Sequence, residues 1–119
     1  MMLQTPDIEM VRALTRQRDV VGLMALAGAG EVMIEAEVLA AVAQGLGMLA
    51  DPDSLPAVLR LAKDRHLQVR VEAIGALARF ADPAARAALQ SASQDVNVVV
   101  RREAERVQRQ LSSRVGGAA

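Results

Sequence analysis

His66 is the only histidine in a chain that contains no cysteine, and it stands between Arg65 and Leu67 in a polar stretch. A structural or catalytic zinc site needs several nitrogen or sulfur ligands, so this imidazole reads as a solvated turn residue. Asp51 and Asp53 place two carboxylates close together, as acid–base catalysis would require. Asp51 directly precedes Pro52, however, which makes it a helix N-cap, with Asp53 in the first turn where negative charge suits the dipole. Ser54, Ser91, Ser93, Ser112 and Ser113 have no histidine-based partner arrangement, and a serine hydroxyl is a weak nucleophile without an activating base. Gly45-x-Gly47 follows no strand and precedes no Gly-Lys-Ser/Thr, so it is not a phosphate loop. Small residues inside an amphipathic helix instead allow close helix packing, although each glycine costs about 1 kcal/mol in propensity. No catalytic residue, cofactor or metal ligand emerges, and the chain reads as a non-enzyme.

The elements that could position any other chemistry are helices. Of 119 residues, 52% are apolar, yet there is no Trp or Tyr and a single Phe. A core of Ala, Leu, Val and Met favours close-packed helices over sheets, which prefer aromatic and β-branched side chains. The length suits one domain. Fourteen basic and fourteen acidic residues cancel, which argues against a binder of nucleic acid or acidic membrane that relies on total charge. The halves differ: residues 1–50 hold six acids and three bases, and residues 51–119 hold eleven bases and eight acids. No apolar run approaches the roughly 20 residues that span a bilayer. The start, Met1 to Asp7, has no basic stretch of the kind that opens a secretory signal. Cytoplasmic location is the expectation.

Organisation comes from internal repetition. At an offset of 31 residues, nine positions between Ala50 and Ala104 recur: Ala50/Ala81, Asp51/Asp82, Pro52/Pro83, Ala57/Ala88, Asp64/Asp95, Val69/Val100, Arg70/Arg101, Glu72/Glu103 and Ala73/Ala104. A damaged earlier copy matches as well. Val38, Leu46 and Leu49 align with Val69, Leu77 and Phe80 at 31, while Asp19, Leu23 and Ala25 align with Asp51, Leu55 and Ala57 at 32. The copy therefore carries one extra residue, placed most simply in the turn at Gly28 to Gly30.

Each copy reads as a helix pair. Thr5 and Pro6 predict the entry to a preceding helix over 6–17, with Ile8, Val11 and Leu14 as its apolar stripe. The pairs follow at about 19–49, 51–80 and 82–112. In the first, a short helix capped by Asp19 is closed by Gly28, and a longer one runs from Glu31 to Leu49. Asp51-Pro52 and Asp82-Pro83 open the short helices of the other two. Lys63 to His66 and Gln94 to Asn97 form their turns, and the long helices run over 67–80 and from Val98 to Ser113. One domain over 1–113 is thus expected, with 114–119 as a flexible tail. Met1, Met2, Leu3 and Met10 either cover the first pair or offer an adaptable contact surface that also allows self-association.

Helix pairs of unequal length, with Asp-Pro at the first entry, a polar turn, then Val-Arg and an Ala-Leu-rich second helix, resemble the HEAT repeat family. The short bacterial variety first described in phycobilin lyase subunits is the nearest likeness. The resemblance implies an all-α right-handed superhelical solenoid of about three helix pairs plus the N-terminal helix. Its most specific part is an Asp and an Arg six residues apart, here Asp64 with Arg70 and Asp95 with Arg101. In the family such residues hydrogen-bond between neighbouring repeats as a structural ladder. The first copy has Met33 and Leu39 at those positions, so two rungs are expected. The polar last helix, with Arg101, Arg102, Glu105, Arg106 and Arg109, suits a terminal cap facing water.

With chemistry absent, function is expected on a surface. The resemblance implies that second helices line a concave face. The offset then aligns Ala40, Ala41, Gln44 and Met48 with Val71, Glu72, Gly75 and Arg79, and those with Arg102, Glu103, Arg106 and Gln110. This stripe grades from apolar to arginine-rich, and arginine can clamp carboxylates bidentately. The reading is a non-catalytic protein-interaction module or adaptor, binding a partner segment with an apolar anchor and an acidic end. Gln44, Met48, Val71, Glu72, Arg79, Arg102, Arg106 and Gln110 are the contact residues. The alternative, by analogy with the phycobilin lyase relatives, is an accessory subunit of a lyase or other modifying enzyme. Nucleic-acid binding through the basic C-terminal half ranks third, since stacking aromatics and a broad basic field are missing.

Overall fold

Four aspartates start helices, and each does so with its own carboxylate. Asp7, Asp19, Asp51 and Asp82 accept from the backbone N–H of Met10 (2.8 Å), Gly22 (2.9 Å), Asp53 (2.8 Å) and Ala84 (2.7 Å), satisfying donors that a helix end leaves open. The computed structural model of the chain describes residues 5–28 and 34–117. These contain seven α-helices and no strand: α1 (Ile8–Arg16), α2 (Val20–Ala27), α3 (Ala36–Leu49), α4 (Leu55–Leu61), α5 (Leu67–Leu77), α6 (Pro83–Ala92) and α7 (Val98–Gly117).

The three pairs are α2/α3, α4/α5 and α6/α7, and they stack into two layers. First helices α2, α4 and α6 contact one another in series, and second helices α3, α5 and α7 do the same. α1 packs on α3 and takes the place of a second helix one repeat earlier. The core lies between the layers. Leu23, Val58, Leu61, Leu89 and Ala85 come from one side, and Val11, Val42, Leu46, Val69, Leu77, Val100 and Val107 from the other, all buried. Each pair alone would leave one apolar face wet, so burial requires the stack.

Several boundaries depart from the sequence expectation, each for a local reason. α1 starts at Ile8 because the Asp7 carboxylate, not Thr5, makes the cap, which leaves Pro6 outside the helix. α3 starts at Ala36, with Glu35 at the capping position and without a side-chain cap bond, while Glu31 and Met33 lie outside the described residues. A 3-10 turn, Pro52–Ser54, precedes α4. Pro56 has no N–H to offer the Pro52 carbonyl, so the Leu55 N–H takes it in the shorter pattern. α5 ends at Leu77 because its last turn tightens: Ala78, Arg79 and Phe80 donate three residues back, at 3.3, 3.0 and 3.2 Å. Phe80 still fills the core from beyond the helix. α7 runs on to Gly117, since extending a formed helix requires no new nucleus. The expected tail at 114–119 is therefore helical as far as 117, and residues 118 and 119 lie outside the described residues, as do Met1, Met2 and Leu3.

Ala50 closes α3 in the left-handed conformation, φ 52° and ψ 35°. A Cβ there costs about 1–2 kcal/mol, against a smaller entropic cost for glycine. Ala50→Gly is accordingly expected to stabilise the fold by about 0.5–1 kcal/mol, seen as a higher thermal midpoint; an unchanged or lower midpoint would contradict it.

Candidate functional site

The residues with catalytic potential are engaged in building turns. Asp64 Oδ1 accepts from the His66 backbone N–H at 2.9 Å, and His66 Nδ1 lies 2.9 Å from the same oxygen. The imidazole thus sits in the turn that starts α5, partly open to solvent and held by Asp64. Ser54 is fully buried, its hydroxyl donating to the Asp51 carbonyl at 2.7 Å. Among the described residues no group of three or more His, Cys, Asp or Glu could hold a metal ion, and no helix is long and apolar enough to cross a membrane.

Asp64, Arg70, Asp95 and Arg101 hold their own turns as well as the contact between repeats that the resemblance implies. Each Arg reaches back to its own turn. Arg70 Nη1 donates to the carbonyls of Asp64 and Arg65, both at 3.0 Å, and Arg101 Nη1 to those of Asp95 (2.7 Å) and Val96 (3.1 Å). The carboxylates cap the same turns, Asp95 Oδ1 accepting from Asn97 N–H at 2.8 Å as Asp64 does from His66. Among the described residues one rung joins neighbouring repeats, where two were expected: Arg70 Nε lies 3.5 Å from Asp95 Oδ2, an ion pair in which that buried nitrogen makes no hydrogen bond. Leu39 occupies the position from which an Arg would meet Asp64.

The second-helix face divides into separate regions. Gln44, Met48 and Glu72 line one groove of about 420 Å³ together with Ala40 and Ala41 of α3 and Gln68 of α5. Its other wall is α1, through Ile8, Val11, Arg12, Thr15 and Arg16. Met48, at the end of α3, is 62% exposed. Val71 is half-buried. Arg79 is exposed and borders another cleft, with Leu55 and Phe80. Arg102 is exposed too, but Arg106 is already committed. It donates to Glu103 from Nε (3.1 Å) and Nη2 (2.6 Å), and Nη1 reaches Gln110 Oε1 at 3.4 Å. The hydrogen bond that Arg106 donates to Glu103, followed by the negative charge of Glu103, raises the Arg106 pKa above its ordinary value. A partner carboxylate would have to compete with Glu103 for that guanidinium.

The glycines set the groove's shape. A Cβ on Gly45 would come within 2.6 Å of Thr15 Oγ1, and one on Gly47 within 2.7 Å of Ala76 Cβ. α3 is thereby pressed against α1 on one flank and α5 on the other, consistent with the packing role read for these residues. The contribution of α1 escapes a reading that treats it as a prefix to the repeats. One signal was present: Val11 stands 31 residues before Val42, which leads by the same step to Ala73 and Ala104, and all four are at most 2% exposed.

A family model described as HEAT repeats matches residues 34–108. No curated protein and no solved structure matches the chain significantly.

Proposed function

Because the chain belongs to the HEAT repeat family, whose repeats commonly mediate protein–protein contact, we propose that it is a non-catalytic interaction module or adaptor that takes a partner segment along its second-helix face. The observation that carries this reading is the groove over α3, where exposed Met48 stands beside the small side chains of Ala40 and Ala41 and the half-buried Ile8 of α1. A methionine there supplies a flexible, polarizable anchor for an apolar partner side chain. Arg79 and Arg102 are the arginines left to meet an acidic stretch further along. Reading by base stacking finds no support in the aromatic content, since Phe80, the only aromatic residue, is buried.

A photo-crosslinking amino acid at Gln44, compared with one at Arg60 on the first-helix layer, tests the proposal in the producing cells. Both positions are exposed. A discrete protein adduct at Gln44 and none at Arg60 is expected. Equal adducts at both, or none at Gln44, would overturn the assignment of this face.

A further inference from the structure

The geometry points to one kind of occupant for the groove over α3: an amphipathic helix of a partner protein, acidic along one edge and basic along the other. This rests on the interaction reading above and specifies its partner. Gly45 and Gly47 are two residues apart, about 200° around the helix, so α1 and α5 flank α3 on opposite sides. A helix presents an apolar stripe flanked by two polar edges and so meets a floor and two walls at once, whereas an extended strand offers only two opposite faces. The floor suits a helix as well. Ala40 and Ala41 permit close backbone approach, and Met48 adapts to the side chains laid over it.

Charge decides the edges. The α1 wall carries Arg12 and Arg16, and the opposite side carries Glu72 of α5, with Glu37 in the first turn of α3. Arg12 pairs with Glu9 at 2.7 Å, but both side chains are largely exposed, and such a pair exchanges partners at little cost. Arg16, Glu37 and Glu72 form no ion pair among the described residues. An acidic edge therefore lies against α1 and a basic edge against α5. Turning the helix end for end would exchange the edges, so the opposed walls also select its direction.

The test uses two synthetic 18-residue helical peptides with the same Ala/Leu stripe, one bearing Glu on one edge and Lys on the other, the second bearing Lys on both. The whole chain should bind the mixed peptide about tenfold more tightly than the all-Lys peptide, with amide shifts confined to α1, α3 and α5. In the R12E/R16E variant, altered only at exposed positions, the preference should invert, a gain of binding that misfolding cannot produce. Equal affinities in both proteins, or shifts elsewhere, would overturn the helix proposal. So would a concentration-dependent rise in mass of the chain alone that R12E/R16E abolishes, which would give the groove to a second copy. If Gln44 crosslinks a partner while neither peptide binds, the interaction reading stands and only the helical occupant is lost.

Discussion

Gly47→Val is expected to lower the unfolding free energy by about 2–3 kcal/mol, read from the urea midpoint at constant slope. The nearest atoms to the new Cβ would be Ala76 Cβ at 2.7 Å and Ala76 Cα at 3.0 Å. A backbone carbon cannot rotate away, so α3 and α5 must separate along the seam that joins the first two repeats. That loss exceeds the few tenths of a kcal/mol by which valine surpasses glycine in helix propensity. Gly45→Ala provides the contrast. Its clash is with the Thr15 hydroxyl at 2.6 Å, a group that can change rotamer once its bond to the Val11 carbonyl is given up. The propensity gain of about 1 kcal/mol then roughly cancels the loss. In the double variant Gly47→Ala with Ala76→Gly, the missing methyl moves across the seam, and the pair should be more stable than the sum of the single changes by about 1 kcal/mol. Additive behaviour would mean that this contact does not set the spacing of the helices.

Arg70→Met should cost about 2 kcal/mol and Arg101→Met about 1 kcal/mol, both by chemical denaturation. The two arginines do the same work within their own turns, each giving Nη1 to two carbonyls. Only Arg70 also faces a carboxylate of the next repeat. Its loss leaves Asp95, whose side chain is 19% exposed, without its opposite charge. The figure is modest because the pair is not fully removed from water and its 3.5 Å separation is long. Equal costs for the two substitutions would show that the cross-repeat contact adds nothing and that both residues act through their turns alone.

The repeat offset made most of this architecture legible before any coordinates. Asp51, Asp82 and the polar turns at 63–66 and 94–97 mark helix starts and breaks through local chemistry, and local chemistry is what sequence records best. Val69, Ala73, Val100 and Ala104 were readable as core for a similar reason, because helical spacing survives in each copy. What remained hidden depends on contacts between distant segments. The resemblance implied that Arg70 meets the neighbouring repeat, and stacking brings Asp95 to it; that its guanidinium also ties the carbonyls of its own turn was not visible in the spacing. Arg106 appeared available because its neighbour Glu103 was counted as another member of the stripe, while the structure joins the two. The groove is the largest omission. One whole wall of it, from Ile8 to Arg16, comes from α1, whose place in the second-helix layer follows from packing on α3 and is only faintly announced by Val11.

The series contacts of the two layers also limit how far any disturbance can travel. α3 touches α1, α2, α4 and α5, whereas the α6/α7 pair meets the remainder chiefly through α4 and α5. Stability in such an array is a sum of local terms and nearest-neighbour couplings. Stiffening at the groove thus reaches α7 through a single intermediary, and its influence decays with each interface crossed. A change made at one end of the stack is therefore felt at the other only as far as the intervening interfaces pass it on.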